Sequence, residues 1–369
     1  MKTKWLVTST GFALFSMFFG SGNLVFPIAV GKLSGGEYLL AALGILLTGV
    51  AVPFLGVLGM MMYKGEMPKF FRFLGKKGLF WFSFLALALM GPFGVLARCL
   101  TVAHGAIQLL IPQSTLLMTS LVLALAVFLL TLNKSRIISV LGVWLTPALL
   151  LSIGAIAFFG LKDGITPAQP DAYSWEALKM GFLQGYQTMD LLAAFFFSTF
   201  IIKHLSETIS DSRTSFKVFI QSSFIGAAIL SVVYLALVAL GWAYAPQLLG
   251  IPPQEMLGKI ALSALGNFAA PCVCVAIVLA CVTTAIALTS LFADFLRIEV
   301  ARHKIGNKTA LAATLGIGVL VSTLEFSGIA KFLGTLLETI YPALIALTLI
   351  NIGLKVWEYR KEKKVRELS

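Results

Sequence analysis

Long apolar runs separated by short polar or basic segments dominate the chain. They fall at 5–31, 38–62, 79–111, 115–132, 137–160, 181–202, 218–243, 268–296, 309–324 and 332–354. A run of about 20 apolar residues spans the bilayer core as a helix, so the pattern predicts an all-α integral membrane protein with about ten transmembrane helices. Lys and Arg set the orientation, because basic residues stay on the cytoplasmic side. With the N-terminus inside, the internal segments carry 22 basic residues. The external side carries five, Lys32, Lys162, Lys179, Lys259 and Lys331. Both termini are therefore expected in the cytoplasm.

Ten spans divide into two sets of five. Five is odd, so the sixth span enters from the face opposite the first, and any repeat between the halves is inverted. The expected organisation is a single transporter domain over 1–369. It has a first repeat at 5–160, a second at 181–354 and a basic cytoplasmic tail at 355–369.

Two spans break their own apolar pattern. In the first, Phe18-Phe19-Gly20-Ser21-Gly22-Asn23-Leu24-Val25-Phe26-Pro27 places poor helix formers at mid-span and a proline four residues on. Within hydrocarbon such a break is tolerated where the freed backbone groups line a protein cavity. It offers carbonyls to a cation and a helix N-terminus to an anion. The inverted repeat predicts a second break in the sixth span. There Gly185 precedes a polar patch of Tyr186, Gln187, Thr188 and Asp190. The competing reading of the first break is a glycine packing notch with a proline kink.

Composition narrows the function classes. Hydrophobic residues make up 59% of the chain and charged residues 12%, against about 25% charge in a soluble domain. The net charge of +12 is distributed as a topology signal and a contact with anionic lipid, which excludes a nucleic-acid partner. The first 31 residues do not resemble a cleaved signal peptide. Cys99, Cys272, Cys274 and Cys281 read as small apolar packing residues, since Cys272-Val273-Cys274 lacks a zinc or redox spacing. His104, His204 and His303 are widely separated, and no nucleophile motif is present, which argues against a membrane-embedded enzyme.

Charges inside spans cost about 2.5–3.5 kcal/mol each at mid-helix and are the sharpest clues. Asp190 lies in the second break, where a functional role outweighs a structural ion pair. Arg98 follows the kink-forming Gly91-Pro92 and either holds a substrate carboxylate or pairs with Asp190 or Glu338. Asp294 reads as an interfacial acid beside Arg297, and His104 as a packing residue. Thr283 and Thr284 place two adjacent hydroxyls in the eighth span. Hydroxyls and backbone oxygens suit a sodium ion, although threonines also bond back to their own helix. The segment Lys69–Lys77 either lies along the inner leaflet or forms an ordinary basic loop. An amphipathic stretch at 254–264 is expected to fold over the outer vestibule.

The motif Phe18–Pro27, Gly91-Pro92 with Arg98 and Thr101-Val102-Ala103, the stretch Gly181–Phe195, and Ala280-Cys281-Val282-Thr283-Thr284-Ala285 together resemble the bacterial branched-chain amino acid carrier family. Gly20-Ser21-Gly22-Asn23 with Phe26-Pro27 is similar, more distantly, to the unwound first helix of LeuT-like sodium symporters. The resemblance implies a carrier in the bacterial cytoplasmic membrane that imports leucine, isoleucine and valine with sodium or protons, and needs no cofactor beyond the coupling ion. It implies backbone amides around Gly20, Ser21, Gly22 and Asn23 for the substrate carboxylate. Tyr186, Gln187, Thr188 and Asp190 would meet the ammonium and side chain, with Arg98 also at the substrate. Ser16 and Phe19 with Ala280, Thr283 and Thr284 would form the sodium site. Typical members of that family have about twelve spans against ten here. The missing pair lies outside the five-plus-five core, so transport is expected to survive. Another neutral amino acid such as methionine, or a transport-defunct sensor with the same fold, is the alternative.

Overall fold

The computed structural model describes residues 2–132, 134–162, 174–209 and 211–368, and among them every regular element is helical. The connection from Asp163 to Tyr173 lies outside the described residues. So do the side chains of residues 1–3, 133–146, 148, 200, 204, 210, 212–213, 267–270 and 362–369.

The first span is α1 (Lys2–Phe18) and α2 (Ser21–Leu33), whose axes differ by 73°. Phe19 N–H still bonds Phe15 C=O at 3.0 Å, and Gly20 then turns extended (φ −122°, ψ −166°), which ends one ladder and starts the next. The second span is α3 (Tyr38–Leu46), a π-helical turn (Leu47–Ala51) and α4 (Val52–Met62). Pro53 has no N–H to offer the carbonyl of Gly49, and the wider turn absorbs that gap.

After the short α5 (Met67–Phe70), the third span is α6 (Gly75–Met90) and α7 (Val95–Leu110), parted at Gly91-Pro92 as the sequence predicts. Then follow α8 (Leu116–Leu132), α9 (Lys134–Lys162), the sixth span as α10 (Ser174–Gln187) and α11 (Asp190–Thr208), and α12 (Ser212–Ala243). The chain ends with α13 (Met256–Phe295), α14 (Asn307–Ser322) and α15 (Glu325–Leu368).

Among the described residues, six helices and the bent pair α1–α2 are long and apolar enough to cross a membrane. Shorter apolar helices at 116–132, 149–162 and 307–322 account for the remaining segments. Two of the stretches read from the sequence are helical. The basic tail from Lys355 is a continuation of α15. The amphipathic stretch 254–264 runs from a 3₁₀ turn (Pro253–Glu255) into the first turns of α13, set off by a kink at Gly266 (φ 71°).

Packing between the halves is reciprocal. Both pieces of the first span lie on α12 of the seventh, and both pieces of the sixth lie on the second, α10 on α3 and α11 on α4. Glycine permits the closest of these crossings. A Cβ on Gly181 would stand 2.0 Å from the Ala41 carbonyl oxygen, and one on Gly241 would stand 2.1 Å from that of Ile28. Backbones this close gain dispersion that larger side chains would prevent.

Candidate functional site

The two breaks meet. A Cβ on Gly22 would lie 3.5 Å from the Thr188 Cα, so the start of α2 sits against the gap between α10 and α11. That gap is built by Met189, a buried non-glycine residue in the left-handed region (φ 62°, ψ 19°). Such a conformation costs of order 1–3 kcal/mol and is held only where its surroundings determine it. Thr188 Oγ1 bonds Gly185 C=O at 2.9 Å, and Met189 N–H bonds Tyr186 C=O at 3.1 Å, which close the end of α10.

Asn23 ties the breaks together. Its Oδ1 accepts from Gly20 N–H at 3.0 Å, satisfying a donor left over at the start of α2. Its Nδ2 donates to Asp190 Oδ2 and to the Tyr234 hydroxyl, each at 2.7 Å. Tyr234 in turn donates to Asp190 Oδ2 at 3.2 Å. All three side chains are buried, and they join the first, sixth and seventh spans.

Arg98 serves the other side of the gap. Its two terminal nitrogens donate to Gln187 C=O and Gln187 Oε1, both at 2.6 Å, and Gln187 Nε2 continues to Ala330 C=O at 3.0 Å. The guanidinium carbon stands 4.9 Å from the Phe26 ring centroid and 5.6 Å from that of Phe326. The expectation that Arg98 pairs with Asp190 or Glu338 does not hold. Among the described residues none of these three has an ion-pair partner, and Glu338 is exposed on α15.

The physical reason lies in the helix ends. A helix C-terminus carries about half a negative charge and an N-terminus about half a positive one. Arg98 caps the C-terminus of α10, and Asp190 occupies the first turn of α11. Each charge is balanced by the pole that the break creates.

Of the other expected substrate residues, Ser21 accepts a weak hydrogen bond from the Cys99 thiol at 3.4 Å. Tyr186 is buried with its ring 4.8 Å from that of Tyr341. Gln187 has its polar atoms committed to Arg98 and Ala330. Among the expected ion ligands, Thr284 reaches the first break, its Cγ2 3.4 Å and Oγ1 3.8 Å from where a Cβ on Gly20 would lie. Thr283 Oγ1 donates back to Ala280 C=O at 2.9 Å, which leaves its lone pairs as acceptors. Phe19 is buried, stacked on Phe15 at 5.0 Å, and Ser16 is half-buried one turn earlier.

Asp294 lies 3.9 Å from Arg297 as expected, and His104 packs with Nδ1 3.1 Å from Thr119 Oγ1. Three cysteines are buried, whereas Cys272 is exposed on the surface of α13.

Sequence reasoning missed Tyr234, Thr48 and Tyr341. Thr48 Oγ1 donates to Phe182 C=O at 2.7 Å, pinning the π turn to α10. Tyr341 is wholly buried, with its ring against that of Tyr186. A tyrosine in the middle of an apolar span is the one sequence signal that pointed to Tyr234 and Tyr341.

Known proteins resemble this chain in sequence and in fold. The chain is 31% identical to the branched-chain amino acid permease BrnQ of Bacillus subtilis, over 95% of this chain and 82% of that protein. It is 31% identical to BrnQ of Corynebacterium glutamicum, over 95% and 81%. It is 28% identical to the branched-chain amino acid transport system 3 carrier protein of Pseudomonas aeruginosa, over 95% and 81%. The fold matches Mhp1 in its inward-facing conformation, with a TM-score of 0.67 at 15% identity over 94% of this chain and 76% of that one. Mhp1 in a closed conformation with bromovinylhydantoin bound matches at 0.65 and 14%, over 93% and 76%. This is the LeuT-like fold. The protein is thus a multi-pass membrane transporter and not an enzyme. The model of the branched-chain amino acid transport protein family matches residues 3–368, and the chain belongs to that family.

Proposed function

We propose that the protein imports leucine, isoleucine or valine across the bacterial cytoplasmic membrane by symport with a cation, sodium in the first instance, through alternating access. One observation carries this reading. The 2.7 Å bond from Asn23 to Asp190 brings the two helix breaks together, so the ends of α1 and α10, the starts of α2 and α11 and a buried carboxylate border one place in the membrane.

The substrate carboxylate is held by the amides of Ser21, Gly22 and Asn23 at the start of α2, where a helix N-terminus favours an anion. The ammonium faces the Tyr186–Asp190 gap. Phe195 and Phe196, both buried on α11, supply apolar surface behind it. Arg98 and Gln187, whose polar atoms are engaged with each other, hold the shape of the gap rather than the cargo. Sodium sits between the end of α1, with Ser16 and Phe19, and Ala280, Thr283 and Thr284 of α13. Repeats at 5–160 and 181–354, with both termini cytoplasmic, complete the reading.

The test is counterflow in liposomes with labelled leucine against a panel of unlabelled amino acids. Neutral aliphatic amino acids are expected to exchange, and lysine and glutamate are not. Strong exchange by a charged amino acid, or by methionine in preference to leucine, overturns the substrate assignment. Uptake that ignores sodium and follows a proton gradient moves coupling to Asp190.

A further inference from the structure

Away from the two helix breaks, a basic pocket lies where α4 ends. The chain leaves α4 through Tyr63 and then through Lys64 and Gly65, both in the left-handed region (φ 57° and 74°). Gly65 N–H bonds back to Met60 C=O at 2.8 Å. This turn, with α5 and the inner part of α15, encloses a cavity of about 430 Å³ lined by Tyr63, Lys64, Glu66, Lys69, Arg72 and Lys355, among others.

Four basic residues face it. Lys69 is paired with Glu66 at 2.7 Å and Lys355 with Glu358 at 2.6 Å. Lys64 and Arg72 have no ion-pair partner among the described residues, so the pocket keeps an excess of positive charge. The Lys355 ammonium stands 5.4 Å from the Tyr63 ring centroid, and burial pushes the Tyr63 hydroxyl above its ordinary pKa, with Arg72 and Lys355 pulling it down and Glu358 pushing it up.

The surroundings choose the ligand. Phe73 is 60% exposed and Trp357 61% exposed, next in sequence to Arg72 and two residues beyond Lys355. Aromatic residues beside basic ones are the composition of a bilayer interface, and basic pockets between spans on the cytoplasmic side bind anionic headgroups. We propose that this pocket binds the phosphate of an anionic phospholipid headgroup.

The pocket is hydrogen-bonded to three spans. Its Tyr63 donates to Asn351 C=O of α15 at 3.2 Å, and Asn351 Nδ2 donates to Phe70 C=O at 2.9 Å. Thr199 of α11 donates to Gly65 C=O at 3.1 Å. The headgroup therefore sits where the second span, the tenth span and the inner half of the broken sixth span converge. A ligand that favours this convergence over its separated form shifts the protein toward the state shown.

Purified full-length protein is titrated with phosphatidylglycerol or phosphatidylcholine, and bound lipid is counted by native mass spectrometry, a readout independent of the transported solute. Phosphatidylglycerol is expected to be retained in preference. Lys64→Gln with Arg72→Gln is expected to weaken its binding about tenfold, whereas Lys76→Gln with Lys77→Gln, an equal charge change outside the pocket lining, is expected to change it less than about twofold. Lys64→Arg with Arg72→Lys retains binding, and the melting temperature of each variant reports folding. Equal weakening by the two glutamine pairs would show a diffuse surface field and overturn the proposal. So would an absence of preference between the lipids. Displacement of the lipid by glycerol phosphate or inorganic phosphate at equal concentration would assign the pocket to a soluble phosphate instead.

Discussion

Asp190→Asn separates a structural carboxylate from a working one, because the structure lets the cost to folding be worked out. Asp190 accepts two hydrogen bonds on Oδ2, at 2.7 and 3.2 Å. Bonds to a charged acceptor contribute about 1.5–3 kcal/mol and neutral ones about 0.5–1.5, so replacing the acid by its amide costs about 2–3 kcal/mol over both. The amide oxygen takes the place of Oδ2, and Asn23 and Tyr234 keep an acceptor. Against this, a charge in the membrane interior costs about 2.5–3.5 kcal/mol on insertion scales, and the amide removes it. The α11 N-terminus loses its anion, worth about 0.3–2 kcal/mol. These amounts nearly cancel, so the variant is expected to express, to elute as a single species and to melt within a few degrees of the parent.

If Asp190 serves the substrate ammonium or the coupling ion as proposed, transport is expected to fall more than tenfold, since no neutral side chain replaces its negative charge. The assay is labelled leucine uptake into proteoliposomes, normalised to reconstituted protein and read beside the melting curve. Near-parental uptake by a well-folded Asp190→Asn protein refutes the functional role. A variant that loses fold and transport together refutes the cancellation and makes Asp190 structural.

Thr283→Val and Thr284→Val remove one hydroxyl each while keeping shape. Each is expected to fold and to need much more sodium for half-maximal uptake, with the substrate's effect on sodium affinity shrinking by the same factor; a sodium titration at constant ionic strength decides this. Arg98→Lys keeps the charge but cannot hold the Gln187 carbonyl and Oε1 together as the planar guanidinium does. Its expected signature is a drop in maximal uptake, with leucine competition still selective for neutral amino acids. Gly181→Ala places a methyl 2.0 Å from a backbone oxygen and is expected to lower the melting temperature markedly. Gly316→Ala, with nothing within 4 Å, is expected to leave the melting temperature unchanged or raise it, by about 0.5–1 kcal/mol of added stability.

The span pattern and both breaks were legible because the bilayer imposes a long apolar period that Gly20, Ser21, Gly22, Asn23 and the 186–190 patch visibly interrupt. The π turn at Leu47–Ala51 was not, because Pro53 is tolerated in many membrane helices and the wider turn depends on Thr48 finding the Phe182 carbonyl. Arg98 shows the limit more sharply. Its cost marked it as important, but its partner is a backbone carbonyl 89 residues away, and a carbonyl leaves no trace in the residue types. For the same reason the Asn23–Asp190–Tyr234 connection was half visible. Two of its members sit in the breaks, while Tyr234 comes from an apolar span with no break of its own.

The helix poles carry one further argument. Breaking the sixth span creates a negative pole at the end of α10 and a positive pole at the start of α11, and the protein fills both, with Arg98 and Asp190. Breaking the first span creates the same two poles, yet α1 has no basic residue in its last turn and α2 has no acidic residue in its first. Asn23 satisfies the Gly20 amide alone. On the proposed reading the poles of the first span take the cargo, a cation at the end of α1 and a carboxylate at the start of α2. An amino acid stripped of its carboxylate should then lose its main hold while keeping its side chain and ammonium. Leucinamide is accordingly expected to compete at least about tenfold more weakly than leucine for uptake, on the 1.5–3 kcal/mol carried by a hydrogen bond to a charged group. 4-Methylpentanoate, which keeps leucine's carboxylate and branched chain but lacks the ammonium, is expected to compete weakly as well, and its residual competition should survive Asp190→Asn. Leucinamide that competes as well as leucine would place the carboxylate away from α2 and end this reading of the first break.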